Sequence, residues 1–331
     1  MEVFFSQLAN GLSTGALYAL LALALVFIFR STDIVNFAQG EMATFGTYLG
    51  WSLSRPLSLS WIPLLGIDRH INVISWNPQI FGASLSLGTP NEGVTRMGYI
   101  VVFIVTVAIS FAIGAFIERF IIRPSEGKNL LNAVIVTLGL FILFNSLSLY
   151  RYGPTPQVYP SPVKAATAVD FGIFKMSQQA LFSFCVGVVL MLLVYWFFQR
   201  TKLGLGMRAA ALNPRASELM GINTGRMLTL GWALAAAIGC VAGMMVAPQV
   251  AGISPSLMLT ILLYAFAAAV LGGLDSALGA VIGGLAVGIG QAMVVQYVGS
   301  QWSDLIAFGL IIAVLMVKPT GLFGSPVLEK V

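Results

Sequence analysis

Apolar runs close to the length that a helix needs to cross a membrane recur along almost this whole chain, at about 8–29, 37–53, 98–118, 130–150, 179–198, 227–247, 256–273, 277–298 and 303–317. A helix rises 1.5 Å per residue, so about 20 residues cross the roughly 30 Å of hydrocarbon in a bilayer. Backbone polar groups in lipid must be satisfied internally, which leaves only helices and closed barrels. No extended alternating segments are present to build a barrel. The expected fold is therefore all-α: an integral membrane protein, a polytopic helical bundle of about eight to ten spans. Residues 1–331 form a single transmembrane domain in this reading, with some of the nine runs as half-spans.

Composition agrees with the runs. Hydrophobic residues make up 58% of the chain and charged ones 9%, with a mean hydropathy of +0.92, far from the range of soluble domains. Small residues four apart, such as Gly11 and Gly15, Gly239 and Gly243, and Gly284 and Gly288, allow close helix approach where lipid removes the hydrophobic drive between helices. Helix packing is the role expected of Gly272, Gly273, Gly279 and Gly283. Cys185 and Cys240 lie in different apolar runs and read as small core residues, not as a disulfide framework. The first run carries no Lys or Arg before it and continues too long for a signal-peptide core, so no cleaved signal is expected.

Placement of Lys and Arg carries the orientation. One set of connections holds Arg30, Arg119, Arg123, Lys128, Arg200, Lys202, Arg208, Arg215, Arg226, Lys318 and Lys330, and the alternate set holds six basic residues. The first set is expected in the cytoplasm, with the C-terminus, and nine spans would put the N-terminus outside. Segments 54–97 and 151–178, rich in Pro, Gly and Ser, then face outward, either as a surface for an extracytoplasmic partner or as connectors.

Several chemistries are excluded. No GxxxxGK[ST] loop exists, and "GINTGR" from Gly221 has the wrong spacing for one, so ATP cannot bind by that route. The single histidine, His70, lies in an outer segment, leaving no catalytic dyad or triad and no metal site. The expectation is no enzyme, no metal and no cofactor in this chain, and nothing implies nucleic acid. Glu41, near a span end, and Asp275, between two spans, are thin equipment for an ion or proton pathway.

The connection "RTKLGLGMRAAALNPRASELMGINTGRM" holds a complete short-helix signature: Asn213 suits the N-cap, Pro214 the first turn and Gly221 the C-terminal cap. Ala216, Leu219 and Met220 share one face at i, i+3 and i+4. So short a helix is unstable alone. Its apolar face is expected to dock into another subunit, or else to dip into membrane lipid with Arg208 and Arg215 near phosphates.

In "IVNFAQGEMATFG", Asn36 and Gln39 have the spacing of a capping box. Gly40, Thr44 and Thr47 continue from Asn36 along a small, mildly polar face, suited to a close helix contact or a path lining. Glu41 lies about 100° from Gly40 around the helix, in line with Phe45 and near the positive end of the helix dipole. Its carboxylate is either structural, paired for instance with Arg30 or a neighbouring subunit, or contacts solute.

Taken together, "IVNFAQGEMATFG", "ERFIIRP", "GMRAAALNPRASELMGIN", "AAVLGGLDSALGAVIGG" and "KPTGLFGSPVLEKV" resemble, in order, recurring segments of the permease subunits of ATP-binding-cassette importers for branched-chain amino acids. Gln39 stands where that family very often has His, Asp275 where Gly is common, and the 54–97 segment looks longer than is typical. The resemblance implies a fold similar to the vitamin B12 type of permease, in a bacterial inner membrane. It implies a second homologous permease subunit, two ATPase subunits that bind ATP and Mg, and a periplasmic substrate-binding protein. It further implies an ATPase-coupling loop containing Gly206, Arg208, Ala209, Asn213, Pro214, Ala216, Glu218, Leu219, Met220, Gly221 and Ile222. Asn36, Phe37, Gln39, Gly40, Glu41 and Thr44 are the candidate translocation path or gate. Urea, short amides or another small organic solute are the alternative cargo; a passive channel and a membrane scaffold are the rival roles.

Overall fold

The computed structural model describes residues 2–32, 34–54, 96–125, 130–163, 168–170, 172, 174–250, 252–318 and 320–324. The expected outer segment 55–95, with His70, lies outside them. Eleven α-helices appear among the described residues: α1 (Glu2–Thr32), α2 (Gln39–Leu53), α3 (Arg96–Ile117), α4 (Leu130–Tyr152), α5 (Gln178–Arg200), α6 (Lys202–Leu212), α7 (Pro214–Leu219), α8 (Thr224–Val246), α9 (Leu257–Gly272), α10 (Ala277–Tyr297) and α11 (Ser303–Val317). All nine apolar runs are helical; the first helix begins six residues before its expected start, and the others lie within a few residues of their expected bounds. Seven of the helical segments are long and apolar enough to cross a membrane.

Helices apolar on every side belong in the centre of a bundle, and α1 and α8 take that place. From Ala16 to Ile28 every α1 residue is buried, as is nearly all of α8 from Gly231 to Val246. Glycines decide which helices touch. Gly11 faces Gly288 and Ile289, and Gly15 faces Gly284 and Leu285, so α1 and α10 run antiparallel with their backbones in contact. On another side Gly114 of α3 meets Trp232 and Ala236 of α8. By contrast α4, α5 and α11 turn Leu131, Ile142, Leu193 and Ile312 outward.

Helix α2 has only 15 residues, about 22 Å, too short to span alone. Its first residue, Gln39, meets Ala235, the middle residue of α8, and Thr47 packs on Gly243 farther along. The two helices run parallel, so α2 starts halfway along α8: residues 34–38 carry the chain back into the bundle before the helix begins. α9 closes this turn from the side, with Met258 and Leu262 against Gly40.

The ends of α9 and α10 are tied together. Gly272 and Gly279 stand backbone to backbone, and Gly283 faces the Ala268 carbonyl, leaving no room for a Cβ at any of the three. Gly273 (φ 104°) turns the chain, and the amides of Leu322 and Phe323 reach the carbonyls of Leu271 and Gly272 at 2.8 and 3.0 Å. The last α9 carbonyls thereby receive partners that the helix itself cannot supply.

Within the connection 151–178, strands β1 (Ala168–Asp170) and β2 (Lys175–Ser177) form an antiparallel hairpin. Gln157 pairs through the backbone with Ile253, and Trp51 Nε1 donates to the Val158 carbonyl at 2.9 Å. This face is thus knitted to the end of α2 and to the α8–α9 turn.

Candidate functional site

Two places gather the polar residues singled out above: the turn into α2, in the middle of the bundle, and the loop from α6 to α8 at one end. At the turn the expected capping box does not form. The helix begins at Gln39 with Ala38 as its cap residue, so Asn36 sits too early to reach the third amide. Asn36 Oδ1 instead accepts from the Ala38 amide at 3.0 Å in a local turn, and its Nδ2 donates to Gln39 Oε1 at 3.3 Å. Gln39, in place of reaching back, donates from Nε2 to the Ala235 carbonyl at 2.8 Å. An amide buried this deep takes the second lone pair of a helix carbonyl because no water is available to it.

Glu41 is 1% exposed. Asn145 of α4 donates to its Oε2 at 3.3 Å, and the same Nδ2 lies 3.5 Å from the Pro255 carbonyl. The expected pairing with Arg30 is absent, because Arg30 ends α1 whereas α2 restarts halfway up the bundle. Among the described residues the ion pairs are Glu118–Arg123 and Asp170–Lys175, and Glu41 belongs to neither. Phe45, one turn on, packs against Phe144 at 5.2 Å between ring centroids, so Glu41 and Phe45 together face Asn145 and Phe144. A buried carboxylate held by one neutral amide keeps unused acceptor capacity, the arrangement in which an approaching cation is most strongly favoured.

Gly40, Thr44 and Thr47 are wholly buried within the single chain. Gly40 is covered by α9, and the threonine hydroxyls donate to their own helix, at 3.1 Å to Gly40 and 2.8 Å to Ala43. Their face is a helix contact within the chain and not an open lining. Phe37, by contrast, is 39% exposed at the mouth of the turn.

The loop is built of consecutive caps. Thr201 Oγ1 accepts from Gly204 to start α6, Asn213 Oδ1 accepts from Ala216 to start α7 with Pro214 in its first turn, and Asn223 Oδ1 accepts from Arg226 to start α8, each at 3.0 Å. α7 closes through Gly221 (φ 82°), with Gly221 N–H to Glu218 and Ile222 N–H to Ser217, both at 2.9 Å, the paired bonds of a Schellman motif. Glu218 accepts from the Thr224 hydroxyl and ties α7 to α8. With its backbone so satisfied, α7 turns Ser217 inward and leaves Leu219 90% and Met220 83% exposed, Ala216 beside them.

The structure divides the expected loop set. Ala216, Glu218, Leu219 and Met220 lie outside, whereas Gly206 is buried against Met227 and Ile222, and Ala209 is half-buried. Arg208 is also half-buried, donating to Gln199 at 3.1 Å, and shares a crevice with Arg30. These inner residues seat the loop and do not present it.

One feature of this end was not legible in the sequence. Glu118 and Arg123 sit five apart, on well-separated sides of an α-helix. A π-helical turn at Glu118–Ile122 extends α3 and brings them together. Arg123 donates from Nε and Nη2 to the Glu118 carboxylate, each at 3.0 Å, and from Nη2 to the Gly225 carbonyl at 2.6 Å. Thr229 donates to Glu118 at 2.6 Å. The start of α8, just past the loop, is thereby bound to the end of α3. The available signal was two opposite charges closing an apolar run immediately before Pro124.

Residues 7–315 match the family described as branched-chain amino acid transport system / permease component. The chain is 28% identical over 333 residues to the high-affinity branched-chain amino acid transport system permease protein BraD of Pseudomonas aeruginosa, covering 99% of this chain and 98% of that one. It is 30% identical over 332 residues to the permease protein LivH of the corresponding system in Escherichia coli K12, with the same coverage. A more distant similarity, 28% over 191 residues, spans 54% of this chain and 52% of the fructose import permease protein FrcC of Rhizobium meliloti.

Proposed function

This chain belongs to the family of permease components of branched-chain amino acid transport systems, and from that premise we propose that it is the permease subunit of an ATP-binding-cassette importer for branched-chain or other small neutral amino acids. It is a multi-pass membrane protein and a transport component, not an enzyme. In this reading it sits in a bacterial inner membrane beside a second homologous permease. Two ATPase subunits, carrying ATP and Mg, dock on the cytoplasmic face that bears α7. A periplasmic binding protein delivers solute to the opposite face, and transport proceeds by alternating access.

The observation that carries the proposal is the exposure of Leu219 and Met220 on a helix whose backbone is capped at both ends. A six-residue helix has no stability of its own to spend, yet this one is held rigidly with its apolar side away from the chain. Exposed apolar groups on a rigid mount suit a protein groove. A push on α7 would travel through Glu218–Thr224 to α8, which Arg123 and Thr229 bind to α3. α8 also carries the Ala235 carbonyl that holds Gln39, two residues from Glu41. The buried Glu41 carboxylate complements the ammonium group of an amino acid, whereas a sugar or a neutral amide offers it no charge.

The test replaces Glu218, Leu219 and Met220 with Ala, Ser and Ser and measures co-purification with the ATPase subunits. Loss of the ATPase from an otherwise normally folded permease is expected. An intact complex with undiminished ATPase stimulation would refute the docking assignment.

A further inference from the structure

At the end of the bundle that bears α6, a crevice opens between the last turns of α1 and α5, the helix α6 and the start of α8. Phe27, Phe198 and Met207 form its apolar wall, and Arg30 and Arg208 also line it. We propose that the rim of this crevice binds one anionic phospholipid, the phosphate held by Arg30 and Arg208 and the upper acyl chain laid against half-buried Phe198.

Charge is the first argument. The crevice lining contains no carboxylate, and neither arginine belongs to an ion pair among the described residues. Arg208 spends Nη1 on Gln199 at 3.1 Å, while its Nε is buried without an acceptor. A buried N–H left unmade is costly, and a guanidinium matches phosphate oxygens in geometry as well as charge. Two cations that line one crevice with no anion beside them among the described residues favour an anion from outside the chain.

Depth is the second. α1 has 31 residues, about 46 Å, so its ends overrun the hydrocarbon and Arg30, in its last turn, stands at headgroup level. α6 leaves α5 by a sharp bend at Gly204, where the Phe197 carbonyl and the Phe198 backbone leave no space for a Cβ. It exposes Leu203 and Leu205 and carries Lys202 at its start. Apolar groups on one side and cations at the rim are the marks of a helix lying in the interface.

The apolar wall distinguishes the two sources of a phosphate. Phe198 stacks on buried Phe27 at 4.3 Å and is itself half-buried, so its free side offers a soluble phosphate nothing but gives an acyl chain an apolar surface to follow. The inference rests on the chain lying in a membrane and is independent of what docks on α7.

The experiment is native mass spectrometry of the full chain released from detergent with phosphatidylglycerol or phosphatidylcholine of the same acyl chains. One retained phosphatidylglycerol is expected, bound about tenfold more tightly than phosphatidylcholine. The Arg30→Gln/Arg208→Gln chain should lose that preference, and Arg215→Gln, on exposed α7, should keep it. Equal retention of the two lipids by the unmodified chain overturns the proposal, whatever the variants do. Displacement of the lipid by inorganic phosphate alone overturns it in favour of a soluble anion. Retention unchanged in Arg30→Gln/Arg208→Gln overturns the placement in this crevice. Loss of ATPase binding in the α7 variant leaves these outcomes untouched, so the two readings fail separately.

Discussion

Arg123 holds Glu118 through Nε and Nη2 across a π-helical turn, and the same Nη2 reaches the Gly225 carbonyl at the start of α8. Glu118 is fully buried, while the Arg123 side chain is 35% exposed. Glu118→Gln leaves a cation facing a neutral amide. Removing one partner of a fully buried pair costs about 3–5 kcal/mol, and the partial exposure of Arg123 reduces this to about 2 kcal/mol. Thr229→Val should cost about 1 kcal/mol, the worth of an ordinary hydrogen bond. Thermal unfolding in detergent should rank the two in that order.

Gly279→Ala and Gly290→Ala give opposite outcomes in one helix. A Cβ on Gly279 overlaps the Gly272 carbonyl, whereas nothing lies within 4 Å of a Cβ on Gly290. The first should lower stability by about 1–3 kcal/mol through forced separation of α9 and α10. The second should be neutral or stabilising, since Ala is the better helix former. Folded yield and unfolding midpoint separate them.

Glu41→Gln keeps the shape of the side chain and its contact with Asn145 but removes the charge. Assembly with partner subunits should be retained, while uptake of leucine into reconstituted vesicles falls by about tenfold or more, the worth of one charge-assisted contact. Normal uptake would reduce Glu41 to a packing role between α2 and α4.

Gln39 and Gly239 form a coupled pair, since a Cβ on Gly239 would come within 2.7 Å of Gln39 Nε2. Gly239→Ala alone should displace that amide from the Ala235 carbonyl. In the background of Gln39→Ala the same change should cost less, because the obstacle is gone. A double-mutant cycle on thermal stability should therefore show coupling, whereas additive effects would mean that the amide moves aside freely.

The α7 helix shows how far local chemistry reaches. Asn213, Pro214 and Gly221 mark its ends because each satisfies a backbone requirement within a few residues of itself. Asn36 and Gln39 have an equally suggestive spacing, yet no capping box forms there. The Ala235 carbonyl, 196 positions away, takes the Gln39 amide instead. The pairing of Glu118 with Arg123 was hidden for another reason: it depends on one turn adopting π geometry, and residue spacing is read on an α period.

Hydropathy, length and the need to satisfy every backbone group in lipid were enough for the amino-acid sequence alone to determine an all-helical membrane protein, the positions of its helices and the capped loop helix. Those constraints act within one segment at a time. Tertiary structure alone decided that α2 starts in the middle of the bundle, that Glu41 meets Asn145 and not Arg30, and that Arg208 turns inward beside Arg30 while Leu219 and Met220 stay outside. In the low-dielectric interior a polar group settles on whichever partner packing brings within 3 Å or so, and glycine contacts between distant helices set that packing.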